Sequence, residues 1–183
     1  MLGNYFLRAT SSKLVERALA AHPLSLDEIL ENSQARPDQY SKGLIQLISL
    51  QRETPKKVRE KMQNLEVAEA LRHLIELMHI VCRFSAFCEP IVNGQNKANK
   101  TVTDIAPWKK SVSQDLVYAT YTTAIETLRV LGICLQPFIP CTAQVLMDAL
   151  GLKEDGRFWC DAERSGGKED VKPVGSIVGV RLF

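Results

Sequence analysis

Residues 65–92 read LEVAEALRHLIELMHIVCRFSAFCEPIV, and the spacing of their apolar side chains decides the fold class. Ala68, Leu71, Leu74, Ile75, Met78, Val81, Cys82, Ser85 and Cys88 recur at intervals of three and four, the period that lines one face of an α-helix. At 1.5 Å per residue such a helix is roughly 40 Å long, enough to cross a whole domain. Pro90 kinks or ends it.

Upstream of this stretch the sequence predicts more helices. Leu2 to about Ala20 forms the first, with Leu2, Phe6, Leu14, Val15, Ala18 and Leu19 available for packing, and His22-Pro23 stops it. Ser25-Leu-Asp-Glu28 is a capping-box signature for a short peripheral helix. Arg36-Pro37-Asp38 opens another, burying Leu44, Ile45, Leu47, Ile48 and Leu50, and Thr54-Pro55 restarts the chain in the same manner. The basic run Lys56-Lys57-Val58-Arg59-Glu60-Lys61 reads as a solvated face, with an RNA contact as the alternative.

Downstream, Asn93 to Thr103 is polar and reads as a loop. Ser111-Val-Ser-Gln114 is a second capping-box signature, opening a helix that carries Leu116, Ala119, Thr120, Thr123, Ala124, Leu128, Leu131 and Leu135 until Pro137 closes it. A last helix runs from about Ile139 to Leu150 and stops at Gly151. Lys153 to Asp170 is charged and glycine-containing, the composition of a mobile linker. Val174–Phe183 is apolar and β-prone without clean alternation. The expected architecture is an all-α helix bundle over residues 1–151, followed by a linker and mostly irregular tail over 152–183.

Composition narrows the function classes. The 183 residues are 45% hydrophobic and 24% charged, ordinary for a globular chain, and the net charge of +2 is compatible with nucleic acid without arguing for it. No run approaches the ~20 apolar residues of a membrane span, and the N-terminus lacks the features of a secretory signal, so a soluble intracellular protein is expected. Cys82, Cys88, Cys134, Cys141 and Cys160 include no C-x-x-C pair, and neither they nor His22, His73 and His79 cluster at metal-ligand spacing. Reduced, mostly buried thiols are expected. There is no glycine-rich phosphate loop, H-E-x-x-H or G-x-S-x-G, so no catalytic residue and no metal is assigned.

Two constellations carry recognition chemistry. Asn4 and Arg8 are one helical turn apart and share a face, where an amide and a guanidinium can read the edges of splayed-out bases. The same spacing also describes an ordinary surface pair. Pro107-Trp108 stands beside Lys109 and Lys110: an indole can stack on a base while the ammonium groups meet phosphate. Burial of Trp108 as a loop anchor is the other reading.

Together and in this order, these residues resemble the methionyl-tRNA synthetase family. Gly3, Asn4 and Arg8 match its Gly-Asn-x-x-x-Arg helix, and Ala106, Pro107, Trp108 and Lys109 match its Ala-Pro-Trp segment ahead of lysine. Asn93 follows the long helix as the family's asparagine does. Leu128-Arg129, Leu135-Gln136-Pro137-Phe138-Ile139-Pro140 and Leu150-Gly151 follow in the family's sequence, and Leu182-Phe183 resembles the start of its closing segment.

The resemblance implies the class I synthetase anticodon-binding bundle and recognition of the CAU anticodon of tRNA(Met). Asn4, Arg8 and Trp108 would be base contacts, Pro107 would shape the loop, and Lys109 and Lys110 would meet phosphate. The His-x-Gly-His and Lys-Met-Ser-Lys-Ser motifs of the parent enzyme are absent from these residues. ATP therefore belongs to the parent's catalytic domain, this stretch alone should be inactive, and a separate or upstream catalytic domain is an expected partner. The position of Asn4 so close to Met1 implies that its helix begins upstream in a longer protein. The Leu-Gln-Pro-Phe wording is organellar or bacterial in type, pointing to the mitochondrial matrix, with the cytoplasm as the alternative. A helical protein-interaction or scaffold module derived from a synthetase is the alternative function.

Overall fold

The computed structural model describes residues 2–35, 39–86 and 112–164; for Leu2, Asn4, Tyr5, Arg8, Lys13, Gln39 and residues 82–86 it describes the backbone only. The helices are α1 (Leu2–Ala9), α2 (Ser12–Leu19), α3 (Leu26–Gln34), α4 (Gln39–Gln63), α5 (Val67–Ala86), α6 (Gln114–Leu135), α7 (Pro140–Ala149) and the single-turn α8 (Trp159–Glu163). Among the described residues there is no strand, and the all-α class read from the sequence is the observed one.

Helix α6 is the axis of the bundle and packs against every other helix. From Ala119 to Leu135 it is buried all round, as a helix enclosed by others must be. Its side toward α4 is polar. The Tyr40 hydroxyl hydrogen-bonds the Thr120 hydroxyl, and the Gln51 amide donates to the Thr123 carbonyl at 2.7 Å and to the Thr127 hydroxyl. These buried hydrogen bonds form only in one alignment, so they fix the register of α4 on α6.

The first expected helix is two. The Thr10 hydroxyl donates to the Phe6 carbonyl at 2.8 Å, and Ser11 takes an extended conformation and caps α2. The extended backbone of Ser11 ends a helix that apolar spacing alone would continue. Phe6, Val15 and Ala18 are buried as expected, whereas Leu19 is 54% exposed. The Ser25–Glu28 capping box forms in full, and α3 buries Leu26 and Ile29.

Pro55 does not restart the chain. Helix α4 runs through it, with Thr54 and Pro55 both buried. The proline removes one intrahelical donor, but packing on α5, α6 and α8 holds the helix across the gap. The α4–α5 turn is a Schellman motif: Leu65 N–H donates to the Met62 carbonyl at 3.1 Å and Glu66 N–H to the Lys61 carbonyl at 2.8 Å. Leu65 occupies the left-handed position with φ 61°, a place that favours glycine. At Gly151 the same motif closes α7 with φ 71°, as the sequence predicts.

On α5 the buried face is Ala70, Leu74, Leu77 and Val81, of which Leu74 and Val81 belong to the expected stripe. Leu71 is 36% and Ile75 39% exposed, and Ala68 is exposed as well. Two neighbouring stripes on this helix both have three-four spacing, and packing on α4, α1 and α6 selects between them.

Helix α6 begins at Gln114 with Ser113 as its cap, whose side chain makes no cap hydrogen bond; the expected Ser111–Gln114 box involves Ser111, which lies outside the described residues. Ordered packing extends past Gly151, where a mobile linker from Lys153 was expected. A 3-10 turn (Glu154–Gly156) leads into α8, and Arg157 pairs with Asp148 at 2.6 Å. The Trp159 indole N–H donates to the Pro55 carbonyl at 3.2 Å, and Arg59 pairs with Glu163 at 2.9 Å.

Candidate nucleic-acid interface

Helix α1 places Gly3, Asn4 and Arg8 on one short rod anchored by Phe6 and Ala9, which are 0% and 3% exposed. Asn4 and Arg8 stand two residues either side of Phe6. Each is therefore about 200° round the helix from the buried anchor, at register positions on its outer side. The exposed Leu7 lies next to Arg8 in the chain. The side chains of Asn4 and Arg8 are outside what is described, as are Pro107, Trp108, Lys109 and Lys110 altogether.

The chain re-enters the described structure at Val112, and there it is tied down. The Arg17 guanidinium on α2 donates to the Val112 carbonyl at 3.0 Å, across 95 residues of sequence. Arg17 is nine positions beyond Arg8, and Val112 four beyond Trp108. One hydrogen bond thus brings the exit of the Ala106–Lys110 segment to the helix that directly follows α1. Nothing in the sequence marks Arg17 for this role, because its partner is a backbone carbonyl.

Three of the four cations in the basic run on α4 are paired with carboxylates. Lys57 meets Glu53 at 2.7 Å, Arg59 meets Glu163 at 2.9 Å and Lys61 meets Glu66 at 2.8 Å. The hydrogen bond from Lys57 holds the Glu53 carboxyl below its ordinary value, and Glu53 in turn raises Lys57. Glu66 raises Lys61 in the same way. Cations engaged with carboxylates are poorly placed to neutralise phosphate, so this run fits a solvated face better than an RNA contact.

His79 is exposed, and His73 is 26% exposed with Nδ1 3.9 Å from Glu76. Cys134 is buried and Cys141 and Cys160 are exposed, while the side chain of Cys82 and all of Cys88 lie outside the described residues. Among the described residues no three His, Cys, Asp or Glu side chains group as metal ligands, and no helix is long and apolar enough to cross a membrane.

Sequence reasoning missed the largest buried electrostatic feature. Glu126 and Arg129 on α6 pair inside the bundle, and the guanidinium also donates to the carbonyls of Asp161 at 2.8 Å and Arg164 at 2.9 Å. A Glu three residues before an Arg reads as a surface pair, and only the position of α6 at the centre buries it.

No family model matches the chain. Methionine–tRNA ligase of Rickettsia prowazekii is 35% identical over 72 residues, 39% of this chain and 14% of that enzyme. The corresponding enzyme of Caldanaerobacter subterraneus is 29% identical over 116 residues, 62% of this chain and 16% of the relative. A probable mitochondrial methionine–tRNA ligase of Neurospora crassa is 35% identical over 91 residues, 42% and 15% of the two chains. The matched stretch spans about one seventh of these relatives' length. What the chain resembles, over part of its own length, is therefore one portion of a methionine–tRNA ligase.

Proposed function

We propose that this bundle binds tRNA(Met) through its anticodon, with Asn4, Arg8 and Trp108 contacting bases and Lys109 and Lys110 meeting phosphate. The observation that carries the reading is the Arg17–Val112 hydrogen bond. It supports a surface in which the outer side of α1 and the segment bearing Trp108 act together. Similarity to methionine–tRNA ligases supports the choice of tRNA(Met) as the RNA. Aminoacylation would require a catalytic domain, joined or separate, that binds ATP and methionine. The mitochondrial relative accords with an organellar role, which imaging of the tagged protein would check.

The direct test uses α1. Arg8→Ala and Asn4→Ala should weaken binding of tRNA(Met) while leaving thermal unfolding unchanged, since both stand opposite the buried Phe6. Unchanged affinity in both variants would remove α1 from the interface.

A second reading, a helical protein-interaction module, is favoured by one feature. Val67, Leu71 and Ile75 form an exposed apolar strip on α5, which starts beside the 85%-exposed Leu65. Leu71→Glu with Ile75→Glu would leave tRNA binding intact on the first reading. On the second it would abolish association with a protein partner.

A further inference from the structure

The turn between α4 and α5 holds an apolar side chain in a strained place. Leu65 is 85% exposed and takes the left-handed backbone at φ 61°, where glycine would sit without strain. The geometry is fixed by the Leu65 and Glu66 N–H groups, which donate to the Met62 and Lys61 carbonyls at 3.1 and 2.8 Å. So exposed a leucine buries little within its own bundle. A backbone outlier of this kind, held in place by its surroundings, points to a use for the side chain it displays.

A complementary depression lies at the same end of α4. Arg59, Met62, Gln63, Pro137 and Trp159 line an apolar volume of about 280 Å³ that is open to solvent. Small-molecule sites hold roughly 300–1,000 Å³ and enclose most of their ligand, so this shallow hole suits a single protruding side chain better. The Trp159–Pro55 hydrogen bond and the Arg59–Glu163 ion pair, which join α8 to α4, set its shape in advance. Gln63 in its wall is two residues from Leu65, so knob and hole share one surface. Leu65 is not among the lining residues, and its exposure shows that it does not fill its own groove.

A surface that carries both a knob and a matching hole is complementary to itself. In a two-fold pair, what one copy offers the other is offered back at the same time. We infer that two copies of this chain pair through this surface, each seating Leu65 in the groove that Met62, Pro137 and Trp159 form on the other. Charge permits the pairing. A patch that meets its own copy repels itself if it carries unpaired charge. Here Lys61 and Glu66, on either side of Leu65, meet each other at 2.8 Å, and Arg59 in the groove wall meets Glu163 at 2.9 Å. The contact lies at the small, transient end of protein interfaces, so the pair forms and dissociates with concentration. This inference is independent of the RNA-binding reading.

Sedimentation equilibrium of the full chain should show a reversible monomer–dimer equilibrium. Because the two-fold axis counts every substitution twice, Leu65→Gly should raise the dimer Kd by about tenfold or more. Met62→Glu should do the same from the groove side with helical circular dichroism unchanged, and Gln63→Arg, at an exposed position, serves as a second groove variant that leaves the fold intact. Cross-linking reads the placement. With Cys141 and Cys160 replaced by serine, a mixture of the Leu65→Cys and Gln63→Cys proteins in oxidised glutathione should form a disulfide-linked dimer faster than either protein alone. A monomer at every concentration, a dimer insensitive to the knob and groove variants, or a mixture that cross-links no faster than its components would overturn the inference.

Discussion

Arg129 and Glu126 form a buried bidentate ion pair, with Nε to Oε2 and Nη2 to Oε1 both at 2.7 Å. Their side chains are 7% and 2% exposed. The pair does more than neutralise itself, because the same guanidinium holds the Asp161 and Arg164 carbonyls at and just beyond the end of α8. Charge at the centre of the bundle thus fastens the element that carries Trp159.

Removing one member strands the other in an apolar interior. Arg129→Met should destabilise the protein by about 3–5 kcal/mol, the range for breaking a buried pair from one side. Glu126→Leu combined with Arg129→Met should recover part of that loss. Urea unfolding monitored by circular dichroism measures both, and additive losses would show that the two residues do not act as a unit.

Leu65 combines two costs. It sits in the left-handed region at φ 61°, and its side chain is 85% exposed. Leu65→Gly should therefore raise stability by about 1 kcal/mol, since the left-handed strain of about 1–2 kcal/mol is relieved, partly offset by glycine's greater freedom when unfolded. A lower thermal midpoint for this variant would mean that Leu65 contributes packing that its exposure does not reveal.

The thiols should separate by reactivity. Burial pushes the Cys134 thiol up to about 12, against a smaller lowering by Arg129 and with a further rise from Glu163. At pH 8 an aromatic disulfide reagent should modify Cys141 and Cys160 promptly and leave Cys134 intact, as peptide mass mapping would show. The sign of the pH dependence follows from the raised value. The unfolded chain ionises this thiol near pH 9 and the folded one near pH 12, so the contribution to stability is complete below pH 9 and lost as pH rises toward 12. Cys134→Ala should flatten stability over that alkaline window, and an unchanged slope would assign it to other groups.

Trp108 separates the RNA reading from a core role. Trp108→Ala should weaken tRNA(Met) binding by about 1–3 kcal/mol if the indole stacks on a base, with little change in unfolding. Unchanged affinity together with a destabilised fold would make Trp108 a loop anchor.

Much of the fold was legible because helix periodicity and end signals are local. The Ser25–Glu28 box and the Gly151 stop are both present where the residues predict them. The failures share a different cause. The passage of α4 through Pro55 and the choice between two stripes on α5 were decided by neighbouring helices, and the break after Thr10 by the extended backbone of Ser11. Arg129 illustrates the limit for electrostatics: its spacing to Glu126 is local, but its burial comes from seven surrounding helices. At the candidate site, the helical setting of Asn4 and Arg8 was legible. The Arg17–Val112 bond was not, because a backbone acceptor leaves no trace in residue identity.

Anticodon recognition is tested by comparing the affinity of this protein for tRNA(Met) with that for the same tRNA carrying an exchanged anticodon. Titration at one fixed salt concentration is essential, since phosphate contacts alone produce salt-dependent binding to either RNA. The account predicts tighter binding to the natural CAU anticodon, by about tenfold or more, the ratio expected when one base contact of about 1.4 kcal/mol is lost. Equal affinity for the two tRNAs would contradict it.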